Sequence, residues 1–413
     1  MTTDFVVKLK RAFWVSAAVF LAIGSYGVFE RLFRGHAEAH YGQIIVWGLW
    51  VAAYIFFIGL SAGAFLISSL VYVFGVKRFE PIGRLALFLA LVTLLMALVS
   101  IIVDLGHMER AWHVLWFANF KSPMAWMIYL YSFYSLVLSG EIWFLLRKDL
   151  IEGGAGQGMK AAIFRALALG SKNTSDVSVA RDHRIVKVLA TIGVPTAIMF
   201  HGGVGALFGT VASRPHWHSG LFPILFILSA LVSGGALLTV VAGIFQDGFS
   251  RNRALVVDLG KLVMALLALD VLFQISEFLI AFRGGIPGHT AGLRLVLFGP
   301  FWEVFWYGQL LLGTIVPLVL LSAARTRVNP IAVAIACGLI VLGIFGLRLN
   351  IVIPGLAVEE VAGLTRSIAT PRMTLQYVPS LGEWALTIGI VGFGMLLFGL
   401  GELLLPRPTN AKA

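Results

Sequence analysis

The sequence predicts an all-α integral membrane protein with ten transmembrane helices. Three observations carry this. Hydrophobic residues make up 59% of the 413 and charged ones 12%, and the mean hydropathy is +0.93, a balance no soluble domain sustains. Apolar runs of roughly 20 residues recur down the whole chain, each long enough to cross a bilayer. The runs are continuous rather than alternating, so helices, not barrel strands, must satisfy the backbone in lipid.

In order, the runs cover residues 12–29, 44–75, 84–104, 122–146, 186–212, 220–245, 259–282, 301–324, 330–347 and 384–405. The first follows Lys8, Lys10 and Arg11, as a signal peptide would. It has no small-residue cleavage site and contains Trp14, Phe20 and Tyr26, which favours an uncleaved span. In the second, Ser61-Ala-Gly-Ala-Phe-Leu66 resembles Ser233-Gly-Gly-Ala-Leu-Leu238 of the sixth, at an offset of 172. Asp104 ends the third, and Glu277, one residue from the same offset, ends the seventh. Ser122-Pro123 opens the fourth and Gly299-Pro300 the eighth. These landmarks predict two four-helix bundles, spans 2–5 and 6–9, related by a parallel repeat and flanked by the first and last helices. Taken alone, the hexapeptide likeness is equally a sign of close helix contact, where small residues are common. The expected units are 1–43 (first span and outer loop), 44–212 and 213–350 (the two bundles), and 351–413 (outer loop and last span).

The net charge of +11 does not point to nucleic acid, because the charges sit in loops between spans. When loops are assigned alternately to two sides, one side holds 21 of the 31 Lys/Arg. The positive-inside rule makes that side cytoplasmic, with both termini inside a bacterial inner membrane. The loop 147–185 supplies the largest share and reads as a flexible connector. Asp104, His107, Arg110, His113, His216, His218, Glu277, Arg283 and Glu303 then fall at the outer, periplasmic face. The single cysteine, Cys337, excludes an internal disulfide and an iron–sulfur cluster held by this chain alone.

Ionisable groups at lipid depth are costly without a use, so they mark candidate chemistry. Asp104 opens Asp104-Leu-Gly-His107-Met-Glu-Arg110 where a span meets water. Glu141 lies near the inner end of the fourth span, with Tyr134 seven residues earlier on nearly the same face. His201 lies mid-membrane, about 22 Å from the inner end of its span. Asp270, Gln274 and Glu277 recur at i, i+4 and i+7 and form one stripe. Blander readings stand beside these. Tyr134 and Gln274 could each be bonded to a neighbouring helix, and His201 could be a satisfied core histidine. For Asp270 that reading is weaker, because a carboxylate in lipid is expensive. Glu402 reads as a solvated helix end, and His36, His40, His183 and His289 as loop residues without a specific role. His216-Trp-His218 has a metal-like spacing but lacks further ligands. Trp47, Trp50, Trp112, Trp116, Trp126, Trp217, Trp302 and Trp306 cluster near outer span ends. They read as an interfacial belt or as a wall for a flat, isoprenoid-tailed ligand.

Trp47-Gly48 through Tyr54-Ile-Phe-Phe-Ile-Gly59-Leu-Ser-Ala-Gly63-Ala, Asp104-Leu-Gly with Arg110, and Ser122-Pro123-Met-Ala-Trp126 resemble, in order and spacing, segments of the NrfD/PsrC family of membrane quinone-interacting subunits. The likeness covers roughly residues 44–146. Ten spans place the chain nearest the longer branch, which includes the membrane subunit of menaquinone reductase complexes. The resemblance implies a menaquinone site near the periplasmic face of the first bundle and no haem or iron–sulfur cluster in this subunit. It also implies a periplasmic iron–sulfur partner, accompanied by a molybdopterin-type subunit and a multihaem cytochrome c. His107 departs from the arginine many relatives carry.

A quinone exchanges two electrons and two protons, so its oxygens need a donor or acceptor within hydrogen-bond reach. The expectation is that Asp104 and His107 stand at the ring, Arg110 holds Asp104 ionised, and Trp47, Tyr54 and Tyr129 line it. Glu141, Tyr134 and His201 would bring protons from the cytoplasm. Asp270, Gln274 and Glu277 would form a second route or a structural remnant. Three rivals remain. A secondary transporter or proton channel uses the same intramembrane acids and works without a redox partner. A b-type cytochrome needs paired deep histidines, and only His201 is deep. A structural anchor binds no quinone.

Overall fold

The computed structural model describes residues 3–249, 251–368 and 370–404, and it is helical throughout with no strand among them. In order the helices are α1 (Thr3–Phe33), α2 (Leu49–Tyr72), α3 (Gly83–Asp104), the short α4 (His113–Trp116), α5 (Pro123–Gly154), α6 (Met159–Leu167), α7 (Asp176–Gly209), α8 (Phe222–Phe245), α9 (Arg253–Arg283) and α10 (Pro287–Phe298). A π-helix, Val304–Ile315, then runs directly into α11 (Val316–Ser322), followed by α12 (Pro330–Leu356), α13 (Leu364–Ser367) and α14 (Leu381–Leu404). Every expected run is helical because lipid leaves a backbone no partner but itself.

Among the described residues, nine helices are long and apolar enough to cross a membrane. The remaining expected span, 259–282, is α9, a 31-residue helix that carries Asp258, Lys261, Asp270 and Glu277 between its terminal arginines. The basic residues Arg407 and Lys412 of the tail lie outside the described residues.

α2, α3, α5 and α7 pack on one another, as do α8, α9, α12 and the π-helix with α11. The two groups meet where α2 lies against α8, α7 against α8 and α12 against α2. The small-residue segments lie in this seam. A Cβ on Gly63 would sit 2.0 Å from the Ala230 carbonyl oxygen, and one on Gly234 would sit 2.6 Å from the Gly63 Cα. The backbones therefore touch, and α2 is buried nearly all round. α1 and α14 pair with each other and lean on α3, α2 and α8.

Three expectations change. The loop 147–185 is not a free connector. It contains the end of α5, all of α6 and the start of α7, and buried Arg147 ties it together by donating to Asp182 (2.7 Å), Ser171 (2.7 Å), Ser178 (2.6 Å) and the Asn173 carbonyl (2.9 Å). The ninth span does not stop at 347, since α12 continues to Leu356 and buries Arg348. Arg31, expected in an outer loop, is buried in the last turn of α1. Arg147 and Arg31 have each found several acceptors inside the protein, and Arg348 one acceptor and a ring face, which composition cannot reveal.

Candidate functional site

The polar groups gather in two centres. The first is built where α3 ends. Its last carbonyls lack helical partners, and the buried Arg31 guanidinium supplies them, donating to Val103 O (2.6 Å) and Leu105 O (2.5 Å). A cation at a helix C-terminus also suits the helix dipole. Asp104 accepts a hydrogen bond from the Tyr41 hydroxyl at 2.7 Å. The Arg31 guanidinium lies 6.0 Å over the Trp50 ring.

A second carboxylate, Glu383, stands beside this pair. Ser380-Leu-Gly-Glu383 forms a capping box at the start of α14, with Ser380 N donating to Glu383 (2.9 Å) and Glu383 N to Ser380 Oγ (3.2 Å). Glu383 also accepts from His40 N at 3.1 Å and from the Tyr377 hydroxyl. Tyr377 in turn accepts from Leu49 N (2.8 Å), an orphan donor of the first turn of α2. Tyr41 sits 5.7 Å from both the His36 and Trp50 rings and 5.9 Å from Tyr377. Burial and nearby Asp104 raise the Tyr41 pKa, and burial and Glu383 raise that of Tyr377. His36 is pulled down by burial and then by Arg31 and Arg372. A recess of about 330 Å³, bounded by His40, Tyr41, Arg372 and Tyr377, opens on the loop side.

The other expected partners of Asp104 are elsewhere. His107 is two-thirds exposed and bonds Glu109 at 2.9 Å, while Arg110 is 3.7 Å from the same carboxylate. The expected Arg110–Asp104 pairing is therefore not made; Arg31 instead bonds the carbonyls of Val103 and Leu105, on either side of Asp104. Trp47 stacks on Trp217 at 5.8 Å. Tyr129 stacks on Phe120 at 5.5 Å and donates to Leu115 O. Tyr54 lies partly buried on α2, beside Tyr131. None of the three is among the groups that meet Asp104.

The second centre lies among α8, α9, α10, α12 and the π-helix. Asn350 donates to Gln309 (3.0 Å), Gln309 to Gln274 (2.9 Å) and Gln274 to Asp270 (2.6 Å), a chain that crosses three elements. Gln309 is reached because the π-helix and α12 approach until Gly313 and Gly343 touch; π segments often mark functional positions. Arg348 donates to Ser229 at 2.6 Å and stacks 4.4 Å over Phe226. His201, buried on α7, lies 5.9 Å from the same ring, so it faces the second group of helices. Asp270 Oδ1, Arg348 Nε and both His201 nitrogens have no protein partner.

Beside this chain is a cavity of about 70 Å³, lined in part by Glu277, Gln274, Gln309, His216, His289 and Asn350. It is polar enough, and at roughly 15 Å³ per water roomy enough, to hold several waters. Glu277 accepts from Ser219 at 2.8 Å. Burial pulls His216 down to about 4. His218 is turned to Gly209 O at 2.7 Å, so the His216/His218 pair does not converge. Among the described residues no three His, Cys, Asp or Glu side chains gather as a metal site.

In the first group, Tyr134 meets Ser61 Oγ at 3.3 Å. Glu141 is fully buried, with neither oxygen hydrogen-bonded to protein. Glu141, Tyr134 and His201 thus form no continuous hydrogen-bonded chain. Sequence reading missed Arg31, Tyr41, Glu383, Gln309, Arg348 and Asn350. One signal was available: Arg348-x-Asn350 directly abuts the ninth apolar run.

Comparison with known proteins agrees with this architecture. Residues 37–360 match the family described as "Polysulphide reductase, NrfD". The chain is 35% identical to the C subunit of the selenate reductase of Mesobacillus selenatarsenatis, covering 98% of this chain and 96% of that protein. It is 26% identical to the Hdr-like menaquinol oxidoreductase integral membrane subunit of Archaeoglobus fulgidus (86% and 84% covered). It is 24% identical to the menaquinone reductase integral membrane subunit of Nitratidesulfovibrio vulgaris (94% and 89% covered).

Proposed function

The chain belongs to the NrfD polysulphide reductase family, and from that premise we propose that it binds menaquinone at the Asp104 centre and passes electrons to or from a periplasmic iron–sulfur subunit. Coarsely, it is a multi-pass membrane subunit of a quinone-interacting oxidoreductase complex. The observation that carries the finer reading is the Asp104 carboxylate on the Tyr41 hydroxyl at a span border, with Arg31 clamped over the end of the same helix.

The support for a quinone ring here is the recess bounded by His40, Tyr41, Arg372 and Tyr377, whose Tyr41 hydroxyl bonds Asp104; Asp104 with Tyr41 offers a proton donor and acceptor within one hydrogen bond of each other. When bound, the quinone supplies two-electron, two-proton chemistry. Asp104 holds a proton at its carboxyl oxygen, Tyr41 fixes that oxygen, and Arg31 balances the charge left when the proton departs. His107 and Arg110 stand exposed beside Trp112 and Trp116, on the face where the iron–sulfur partner docks, with molybdopterin-type and multihaem subunits beyond it. Proton uptake from the cytoplasm through Glu141, Tyr134 and His201 requires water to bridge the gaps between them. Asp270, Gln274 and Glu277 form a second route, supported by the unbroken chain from Asn350 to Asp270 beside the cavity. Quinone reduction coupled to proton uptake is the direction of the proposal, and its support is the likeness to the menaquinone reductase integral membrane subunit.

Asp104→Asn in the purified native complex tests the reading. Loss of a general acid–base group lowers quinone turnover by about 10²–10⁴-fold while subunit assembly stays intact. Unchanged turnover would remove Asp104 from the site and favour a structural anchor.

A further inference from the structure

Beneath the Asp104 centre lies a cavity of about 350 Å³ that the mechanism above does not use. Its walls come from α1, α2, α3, α8, α12 and α14, and include Phe56, Phe57, Met96, Phe345, Trp384 and Phe398. The two hydroxyls in the wall are already spent on backbone carbonyls, Thr93 on Leu89 (2.8 Å) and Thr387 on Glu383 (2.9 Å). Water entering there would find no hydrogen-bond partners, so the cavity is dry. A gap this large left empty would also forfeit the dispersion contacts of its whole lining. It opens sideways toward lipid between α12 and α14, where Leu342 is 68% and Trp384 37% exposed. Its natural content is therefore a hydrocarbon chain.

The placement identifies which chain. Helices α1, α2, α3 and α14 build both the polar centre and the cavity: Arg31, Trp50, Asp104 and Glu383 above, Phe13, Phe56, Met96 and Trp384 below. Met96 is eight residues from Asp104, about 12 Å down α3, and the lining on α14 runs about 21 Å from Trp384 to Phe398. The upper end reaches Trp384, next in sequence to Glu383, and Thr387, which bonds the Glu383 carbonyl; an acid beside that end repels a phosphate headgroup and accepts a neutral ring. We propose that this cavity holds the polyprenyl tail of the quinone whose ring meets Asp104; the inference rests on the quinone reading. It also gives α1 and α14 a purpose, since both lie outside residues 37–360, the stretch shared with the family.

The competing occupant is a phospholipid acyl chain entering from the other end, where Lys10 lies 5.5 Å over Phe245 beside Phe13 and Phe398. Two filling variants from opposite walls, Val391→Phe and Val341→Phe, distinguish the two in the purified native complex. Each raises the KM for a polyprenyl naphthoquinone by about ten-fold or more, the equivalent of 1.4 kcal/mol, and leaves the KM for a tail-less naphthoquinone within about two-fold. Extraction and mass spectrometry show quinone lost from the variants with phospholipid retained. A tail-length series on the unaltered complex shows affinity rising with each isoprene until the cavity is full, a readout that survives if a variant fails to assemble. Equal effects on both quinones, no effect on either, selective loss of phospholipid, or affinity independent of tail length would each overturn the proposal. Asp104→Asn impairs both quinones alike, so failure of the ring site and failure of the tail site are read separately.

Discussion

Replacing Arg31 by Gln removes the cation that closes α3 and faces Asp104. Arg31 is 5% exposed, and its two hydrogen bonds to Val103 O and Leu105 O are short. Each charge-assisted bond is worth about 1.5–3 kcal/mol. Their loss also leaves two part-buried carbonyls at the end of α3 without partners, at about 1–3 kcal/mol each. These figures describe the same loss, so the expected destabilisation is about 3–5 kcal/mol in total. Arg31→Lys restores the charge but not the two-pronged geometry, and recovers roughly half of it. Lys148 is the control. Its side chain is 45% exposed and lies 3.8 Å from that of Glu152, itself 56% exposed, so Lys148→Gln changes stability by about 0–1 kcal/mol. Unfolding of the purified complex in detergent, followed by turnover at matched folded fraction, reads both effects. If Arg31→Gln unfolds with the unaltered complex, or Arg31→Lys is no better than Gln, Arg31 does not hold the centre together.

Two further outcomes follow from the packing and the loops. Gly63→Ala puts a Cβ 2.0 Å from the Ala230 carbonyl oxygen, so α2 and α8 must separate; overpacking of about 1–3 kcal/mol lowers the unfolding midpoint, whereas a midpoint equal to that of the unaltered protein would show that the seam yields freely. His216 has a folded pKa of about 4 against about 6.5 unfolded. The unfolded chain therefore binds more protons between those values, and stability holds above pH 6.5 and declines as pH falls toward 4. The loss is at most about 3 kcal/mol. His216→Gln flattens the slope of melting temperature against pH over that window, and an unchanged slope would assign the titration to other groups.

Sequence alone determined the helical membrane architecture, because lipid forces each apolar run to bond its own backbone. It determined the place of Asp104, because an acid ending such a run at the border is legible as a position in one dimension. The likeness of 61–66 to 233–238 was also legible, although that the two segments touch was not. Tertiary structure decided which groups meet. Arg31 reaches Asp104's helix end across 72 residues, Arg348 reaches Ser229 across 119, and Tyr41 takes the place expected for a neighbour in sequence. A guanidinium looks the same in a sequence whether it faces water or a buried carbonyl. Only the packing of helices, which sets how many acceptors lie within its reach, separates a loop charge from the centre of a site.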